Sequence, residues 1–426
     1  MKERTQMSDK KTEKERRKEL RRRNKETKAE AKRFRRAQKM SGLRSRLGGI
    51  DLVVVTAVIL FSLFGVAMVF SAGYYQTINT SNPNPLYYLM RQGIFVVTGW
   101  ILMFAASGLD YHIYEKTGGA FLALSIILLV LVLVIGQNVN GAVRWINLGF
   151  IRITPSEFSK IFVIIFTASY LVRDPRNIRT LKGLAVLVAA MAAHFILIIR
   201  QPNLSTAIVI VMIMTAIMIV GGLNLFYLIV PAGAAVAGYF YIITYKTPYH
   251  WYQRLTSFMD PFAERQGDGY QVVQGLIALG NGGLKGLGFG KSISKNMYLP
   301  EPQNDFILAI LGEELGYIGF LILMAAYIFL MFRLMMIALK AKDRLGFYLA
   351  TGVSVMLGLQ VVINVAVVTS SMPATGITLP FISYGGTSMW AFMIAMGIAL
   401  SVSRRREPDA ALSVSKSEGP DRKADE

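Results

Sequence analysis

Residues 52–71 read LVVVTAVILFSLFGVAMVFS, 121–135 read FLALSIILLVLVLVI and 204–220 read LSTAIVIVMIMTAIMIV. None of the three carries a charge, and a helix needs roughly 20 mostly apolar residues to cross a hydrocarbon core about 30 Å thick. The composition agrees: 53% of the 426 residues are hydrophobic and 17% charged, whereas about a quarter of a soluble domain is charged. The alternating pattern of a membrane barrel is absent, so helices are the expected way to satisfy the backbone in lipid.

Working outward from these blocks, hydropathy predicts an all-α polytopic membrane protein with about ten spans: 52–71, 87–108, 119–136, 157–171, 183–199, 204–220, 224–243, 306–332, 347–369 and 387–402. The chain then divides into a basic arm (1–48), a membrane domain (49–403) and a polar tail (404–426). The long connector 246–305 joins spans seven and eight. The arm holds 20 Lys/Arg against 7 Asp/Glu. Most of the net charge of +20 therefore sits in one low-hydrophobicity stretch expected to be disordered, a solvated topology marker rather than a nucleic-acid footprint. With the arm inside, ten crossings put Arg173, Arg176, Arg179 and Lys182 inside, then Arg333, Lys340, Lys342 and Arg344, then Arg404, Arg405 and Arg406. This is the pattern of the positive-inside rule, with both termini cytoplasmic.

The elaborate sequence falls on the other side, in 137–156, 246–305 and 370–386. A 60-residue connector without a function is uncommon. Its apolar runs Tyr270–Leu279 and Leu284–Phe289, broken by glycines, predict a short amphipathic or re-entrant helix followed by a tight turn against the bundle. There is no cysteine, which excludes disulfides and thiolate chemistry. His112, His194 and His250 have no metal spacing, and no GxxxxGK[ST] loop points to a nucleotide.

Ionisable groups near a bilayer are costly and mark working sites. Arg144, Arg152, Glu157 and Lys160 surround Trp145, with Glu157 and Lys160 three apart on one helical face. They read either as an internal ion pair beside an interfacial Trp or as a cationic grip for a lipid headgroup phosphate. Glu301 and Asp305 precede a long apolar span. Asp305 is either a first-turn acid or a carboxylate able to take a proton from a sugar hydroxyl. Glu313 and Glu314 lie deeper, facing protein. These residues leave three classes open: a transferase using a lipid-linked substrate, a lipid or solute transporter, and a noncatalytic scaffold.

NGAVRWINLG, ITPSEFSK, RLTSFMDPF, GDGYQVVQGLIALGNGGLKGLGFGKS, YLPEPQNDFILAILGEELG and MPATGITLPFISYGGTS, in that order, resemble the SEDS family of peptidoglycan polymerases (FtsW, RodA, SpoVE). The likeness covers roughly 50–403 and resembles the FtsW/SpoVE branch more closely than RodA. It implies a ten-helix enzyme that polymerises lipid II onto a lipid-linked glycan strand at the outer membrane face during division or sporulation. The expected partners are a class B penicillin-binding protein and other division or sporulation proteins, with no nucleic acid. The family's essential Asp falls on Asp305, its RW motif on Arg144 and Trp145, and its PSEFxK element on Glu157 and Lys160. Where many relatives have His-Thr before the Asp, this chain has Gln303-Asn304. Arg254, Gln274, Lys291, Glu301 and Ser383 complete the candidate substrate-binding set. No resident cofactor is expected; a divalent cation at the diphosphate is left open, as is lipid II transport as an alternative activity.

Overall fold

The computed structural model describes residues 49–404, except 79–82, 140–141, 148, 150, 246–248, 263–267 and 297. The basic arm and the tail from 405 lie outside the described residues. The described residues from Asp51 onward cluster as one compact unit.

Twelve helices and three short strands are described: α1 Leu52–Ile78, α2 Tyr87–Gly108, α3 Ile113–Ile135, β1 Gln137–Val139, β2 Ala142–Asn147, β3 Arg152–Ile153, α4 Pro155–Arg173, α5 Leu181–Ile199, α6 Leu204–Val220, α7 Ile229–Tyr245, α8 Tyr249–Met259, α9 Asp268–Gly282, α10 Ile307–Leu339, α11 Arg344–Val368 and α12 Gly386–Arg404. Eight of the helices are long and apolar enough to cross a membrane: α1 to α5 and α10 to α12. The other two expected spans correspond to α6 and α7, each of 17 residues, at the lower end of the usual range of about 17–25. The protein is therefore a polytopic α-helical membrane protein. Several helices outrun their apolar stretches: α1 continues to Ile78, and α10 runs 33 residues.

Burial separates an inner from an outer layer. In α4, α11 and α12, 72%, 72% and 78% of the apolar window is inside the protein, against 22% in α3, so the first three form the centre. Large apolar side chains such as Val134 and Ile322, 75% and 66% exposed, face outward, as contact with lipid requires. Local signals set the ends: Pro155 occupies the first turn of α4, and Asn203 and Asp343 accept bonds from the N–H of Thr206 and Gly346.

At one end of the bundle, side chains tie the connectors together. Tyr111 donates to Asp343 (2.5 Å), Arg173 to the Glu115 carbonyl (2.9 Å), and Ser401 to the Leu109 carbonyl (2.5 Å), while Arg333 pairs with Asp51 (2.8 Å). The opposite end carries the irregular segments. Here 137–153, expected to be loop, forms a small antiparallel sheet in the order β1-β2-β3. The pairing Gln137 with Trp145 and Asn147 with Arg152 satisfies backbone that would otherwise need water, a tertiary gain that propensity over so short a stretch does not reveal.

The connector 246–305 holds two helices, α8 and α9, then the expected glycine-rich turn. That turn completes a break in α10. Gly316, at φ 69° and ψ −171°, interrupts the helix, and the freed groups pair with the turn. The N–H groups of Leu287 and Gly288 donate to the carbonyls of Glu313 and Glu314, and those of Tyr317 and Ile318 donate to Gly283 and Leu284, at 2.9–3.1 Å. A Cβ on Gly316 would collide with the backbone of Gly286. Non-helical backbone inside the bundle is tolerable only with such replacement partners.

Candidate active site

Asp305 lies between the turn at 300–304 and the first residue of α10. The turn is anchored at several points. Gln303 donates to Gln76 (2.9 Å) and Tyr88 (3.0 Å), and its carbonyl accepts from the N–H of Tyr384 (2.8 Å). Glu301 takes a positive φ of 41° and accepts from the Asn304 side chain at 2.6 Å. The Asp305 carbonyl accepts from Asn364 of α11 at 2.8 Å.

The carboxyl of Asp305 opens onto a cavity of about 290 Å³ lined also by Arg144, Arg254, Phe258, Tyr270, Gln271, Pro300 and the backbone run Ala374–Gly376. Each wall comes from a different element: β2, α8, α9, the 300–305 turn and the 370–385 loop. Removal from water pushes the Asp305 pKa from 3.8 up to about 6; its own N–H and that of Phe306 pull the other way, as does Arg254, while Glu301 adds to the rise. Arg144 is lowered from 12.5 to about 10, first by burial and then by repulsion from Arg254. It remains a cation at neutral pH, donating Nε to the Gln201 carbonyl (3.1 Å) and a terminal N–H to that of Pro202.

Three expected site residues, Asp305, Arg144 and Arg254, thus converge. The others stand elsewhere. Trp145 follows Arg144 along β2, where successive side chains point to opposite faces, and it does not line the cavity. Lys160 does not reach the cavity either, which corrects its reading as a phosphate grip. It is 2% exposed and donates to Glu157 (2.7 Å) and Gln360 (2.7 Å). A buried ammonium must be paired, and this pair consumes it. Ser383 is a turn residue, its hydroxyl accepting from the Leu379 N–H at 2.8 Å. Gln274 is half-buried on α9 without lining the cavity, Lys291 is exposed in the turn after Gly290, and Glu301 is exposed at the rim. Among the described residues, no group of three or more His, Asp or Glu could hold a metal.

Sequence reasoning missed Phe258, Tyr270, Gln271, Thr375 and Gly376 in the lining, and the internal cation Lys295. Lys295, 3% exposed, pairs with Glu314 at 2.9 Å and donates to Ser71 at 3.0 Å. Glu313 accepts from Ser292, Ser294 and Asn281. The available signal was the two adjacent acids in an apolar run, which demand a buried partner.

Fold and cavity together define a membrane-embedded helical protein with one acid and two arginines gathered in a pocket among its connectors. The chain belongs to the FtsW/RodA/SpoVE family, described as cell cycle protein, whose profile it matches over residues 51–408. It is 36% identical to stage V sporulation protein E of Bacillus subtilis over 357 residues, 83% of this chain and 97% of that one. It is 38% identical to the probable peptidoglycan glycosyltransferase FtsW of Coxiella burnetii over 329 residues, 76% of this chain and 88% of that one. Among solved structures, a chain from work on "structural coordination of polymerization and crosslinking by a peptidoglycan synthase complex" superposes with a TM-score of 0.69 at 28% identity, covering 85% of this chain and 99% of that one. The rod shape determining protein RodA of Thermus thermophilus gives 0.63 at 27% identity, with the same coverage.

Proposed function

We propose that Asp305 is the general base of a glycosyl transfer between two membrane-anchored saccharides. The chain is a peptidoglycan glycosyltransferase, and the convergence of Asp305 with Arg144 and Arg254 in one cavity carries the assignment of roles. Asp305 takes the proton of the acceptor lipid II 4-hydroxyl as that oxygen bonds to the anomeric carbon of the lipid-linked strand. The bond from that carbon to the diphosphate oxygen breaks, and undecaprenyl diphosphate departs with its electron pair. Single displacement inverts the anomeric centre. A diphosphate is already an activated leaving group, so a second carboxylic acid is unnecessary; what the step needs is positive charge on the leaving oxygens, supplied by Arg254 and Arg144. A carboxyl with a pKa near 6 is a stronger base than an ordinary aspartate and is still ionised at neutral pH.

The cavity is assigned to the outer face and both termini to the cytoplasm. The connectors bearing Arg173, Arg176, Arg179, Lys340, Lys342 and Arg344 share the end of the bundle opposite Asp305, and the positive-inside rule favours that end as cytoplasmic. We divide the chain into a basic arm (1–48), a ten-span domain (49–403) and a tail (404–426). A class B penicillin-binding protein is the proposed partner, by likeness to a chain from a peptidoglycan synthase complex.

The test is reconstitution of the full chain with its cognate penicillin-binding protein, transpeptidase-inactivated, followed by separation of glycan chains made from labelled lipid II. Polymer is expected from wild type and not from folded Asp305→Ala. Equal polymer from D305A overturns the base assignment, and lipid II crossing sealed vesicles without chain growth points to transport.

A further inference from the structure

Two buried amides on α11 take no part in this chemistry. Gln360 accepts from Lys160 and donates to the Thr378 carbonyl at 3.5 Å. Asn364, four residues on and therefore on the same helical face, is 1% exposed. Its Nδ2 donates at 2.8 Å to the Asp305 carbonyl and at 2.8 Å to the Ile377 carbonyl. Those two carbonyls belong to segments 72 residues apart in sequence, which are also joined by the Tyr384 N–H to Gln303 carbonyl bond. Ile377 directly follows Ala374–Gly376 in its wall, and a Cβ at Gly376 would lie 3.9 Å from Asp305 Oδ2.

We propose that Asn364 is a positioning residue for the transfer reaction, clipping the backbone of Asp305 to the 374–377 wall so that the carboxylate is held at a fixed height in the cavity. The chemistry of the amide suits the task. An NH2 group carries two donors splayed apart, so one side chain can bridge two carbonyls. An ionised Asp of the same shape has none to offer, and Ala leaves both carbonyls unpaired. The remaining tethers of the turn, at Gln303 and Glu301, lie two and four residues before Asp305. Asn364 bonds the Asp305 carbonyl itself, and so bears on how deeply the carboxyl sits in the cavity.

The inference rests on the reading of Asp305 as base, and the experiment separates the two. Asn364→Ala, Asn364→Thr, Gln360→Ala and Asp305→Asn are purified in complex with the penicillin-binding protein. Polymerisation of lipid II is followed between pH 5 and 8.5, alongside thermal unfolding. A displacement of about 1 Å at a reacting group costs on the order of 100-fold in rate, so N364A is expected to lose about that in kcat with KM for lipid II changed less than about threefold. Its acid limb is expected to move from near 6 toward the ordinary carboxylate range, because a released peptide lets the carboxyl hydrate. N364T, with one donor in place of two, falls between and serves if N364A does not fold. Gln360→Ala, holding the same loop without touching Asp305, is expected to melt earlier while keeping the wild-type pH profile. Wild-type kcat and acid limb in folded N364A or N364T overturn the inference. So does a rate loss with an unmoved limb that Q360A reproduces. Polymerisation by D305N overturns the base assignment instead, whatever the Asn364 variants do.

Discussion

A base kept partly out of water strains the protein that holds it, and replacing Asp305 by Asn exposes that cost. Its pKa is raised from 3.8 to about 6, so between those values the folded state binds a proton that the unfolded state has lost. Stability therefore falls as pH rises through that window, and the penalty is complete above pH 6. This is the reverse of a salt-bridged aspartate. A rise of roughly two pH units at ~1.4 kcal/mol each sets a ceiling near 3 kcal/mol. Because the carboxyl borders a cavity open to solvent, ~1–3 kcal/mol is the working range. Asp305→Asn keeps the shape, removes the ionisation and is expected to abolish polymerisation. It should melt a few degrees above wild type at pH 8, given about 2–4 °C per kcal/mol in domains of 150–250 residues, and show only about a third of that gain at pH 4.5. Differential scanning fluorimetry of detergent-purified protein at both pH values measures it. A mutant that melts at or below wild type at pH 8, or gains equally at both, refutes the account of a desolvated carboxylate.

The rim acid Glu301 raises the Asp305 pKa across the turn, so Glu301→Gln should shift the acid limb of the polymerisation rate to lower pH; an unmoved or upward limb in the pH profile contradicts it. Lys295→Met should destabilise the complex by about 3–5 kcal/mol, since it leaves Glu314 buried and unpaired, and the double variant with Glu314→Gln should recover part of the loss in the same thermal assay. Arg254→Gln should lower kcat about 10–1000-fold, as loss of a charge-stabilising donor does, while Lys160→Met should reduce thermal stability without moving the pH profile, because its ammonium is spent on Glu157 and Gln360.

The spans were legible because a hydrocarbon solvent leaves the backbone one economical answer, and apolar runs such as 204–220 state it directly. Helix ends were less so: α1 and α10 extend past their apolar stretches because nothing in hydropathy stops a helix that keeps packing. The sheet at 137–153 and the broken α10 were invisible for a shared reason. Each rests on backbone pairing that hydropathy does not register, β1 with the neighbouring β2 and the residues around Gly316 with the 283–288 loop. At the site, residue type pointed to Asp305, Arg144 and Arg254, which the fold brings together. It could not separate them from Lys160, whose charge is neutralised by a neighbour one helical turn away. Asn364 and Gln360 stood in plain view as amides within the apolar run 347–369, where a polar side chain needs a partner, yet only the structure names those partners.

A tension remains between the two jobs of the cavity. Cations that stabilise a departing diphosphate also acidify a neighbouring carboxylate, and Arg254 does pull the Asp305 pKa down. The structure limits this conflict by placement. Arg144 spends its donors on the carbonyls of Gln201 and Pro202, and Arg254 repels Arg144, so neither guanidinium is committed to a close ion pair with Asp305. In the proposed reaction, an entering diphosphate would draw on both arginines at once. The acidifying hold of Arg254 on Asp305 would then weaken, while the anion itself would raise the carboxyl pKa further. Base strength is then greatest when the leaving group is in place, and an empty cavity keeps Asp305 ionised and ready. A third permanent cation such as Lys160 in the same pocket would undo this by holding the carboxylate acidic throughout; that lysine is instead locked inside the bundle by Glu157 and Gln360.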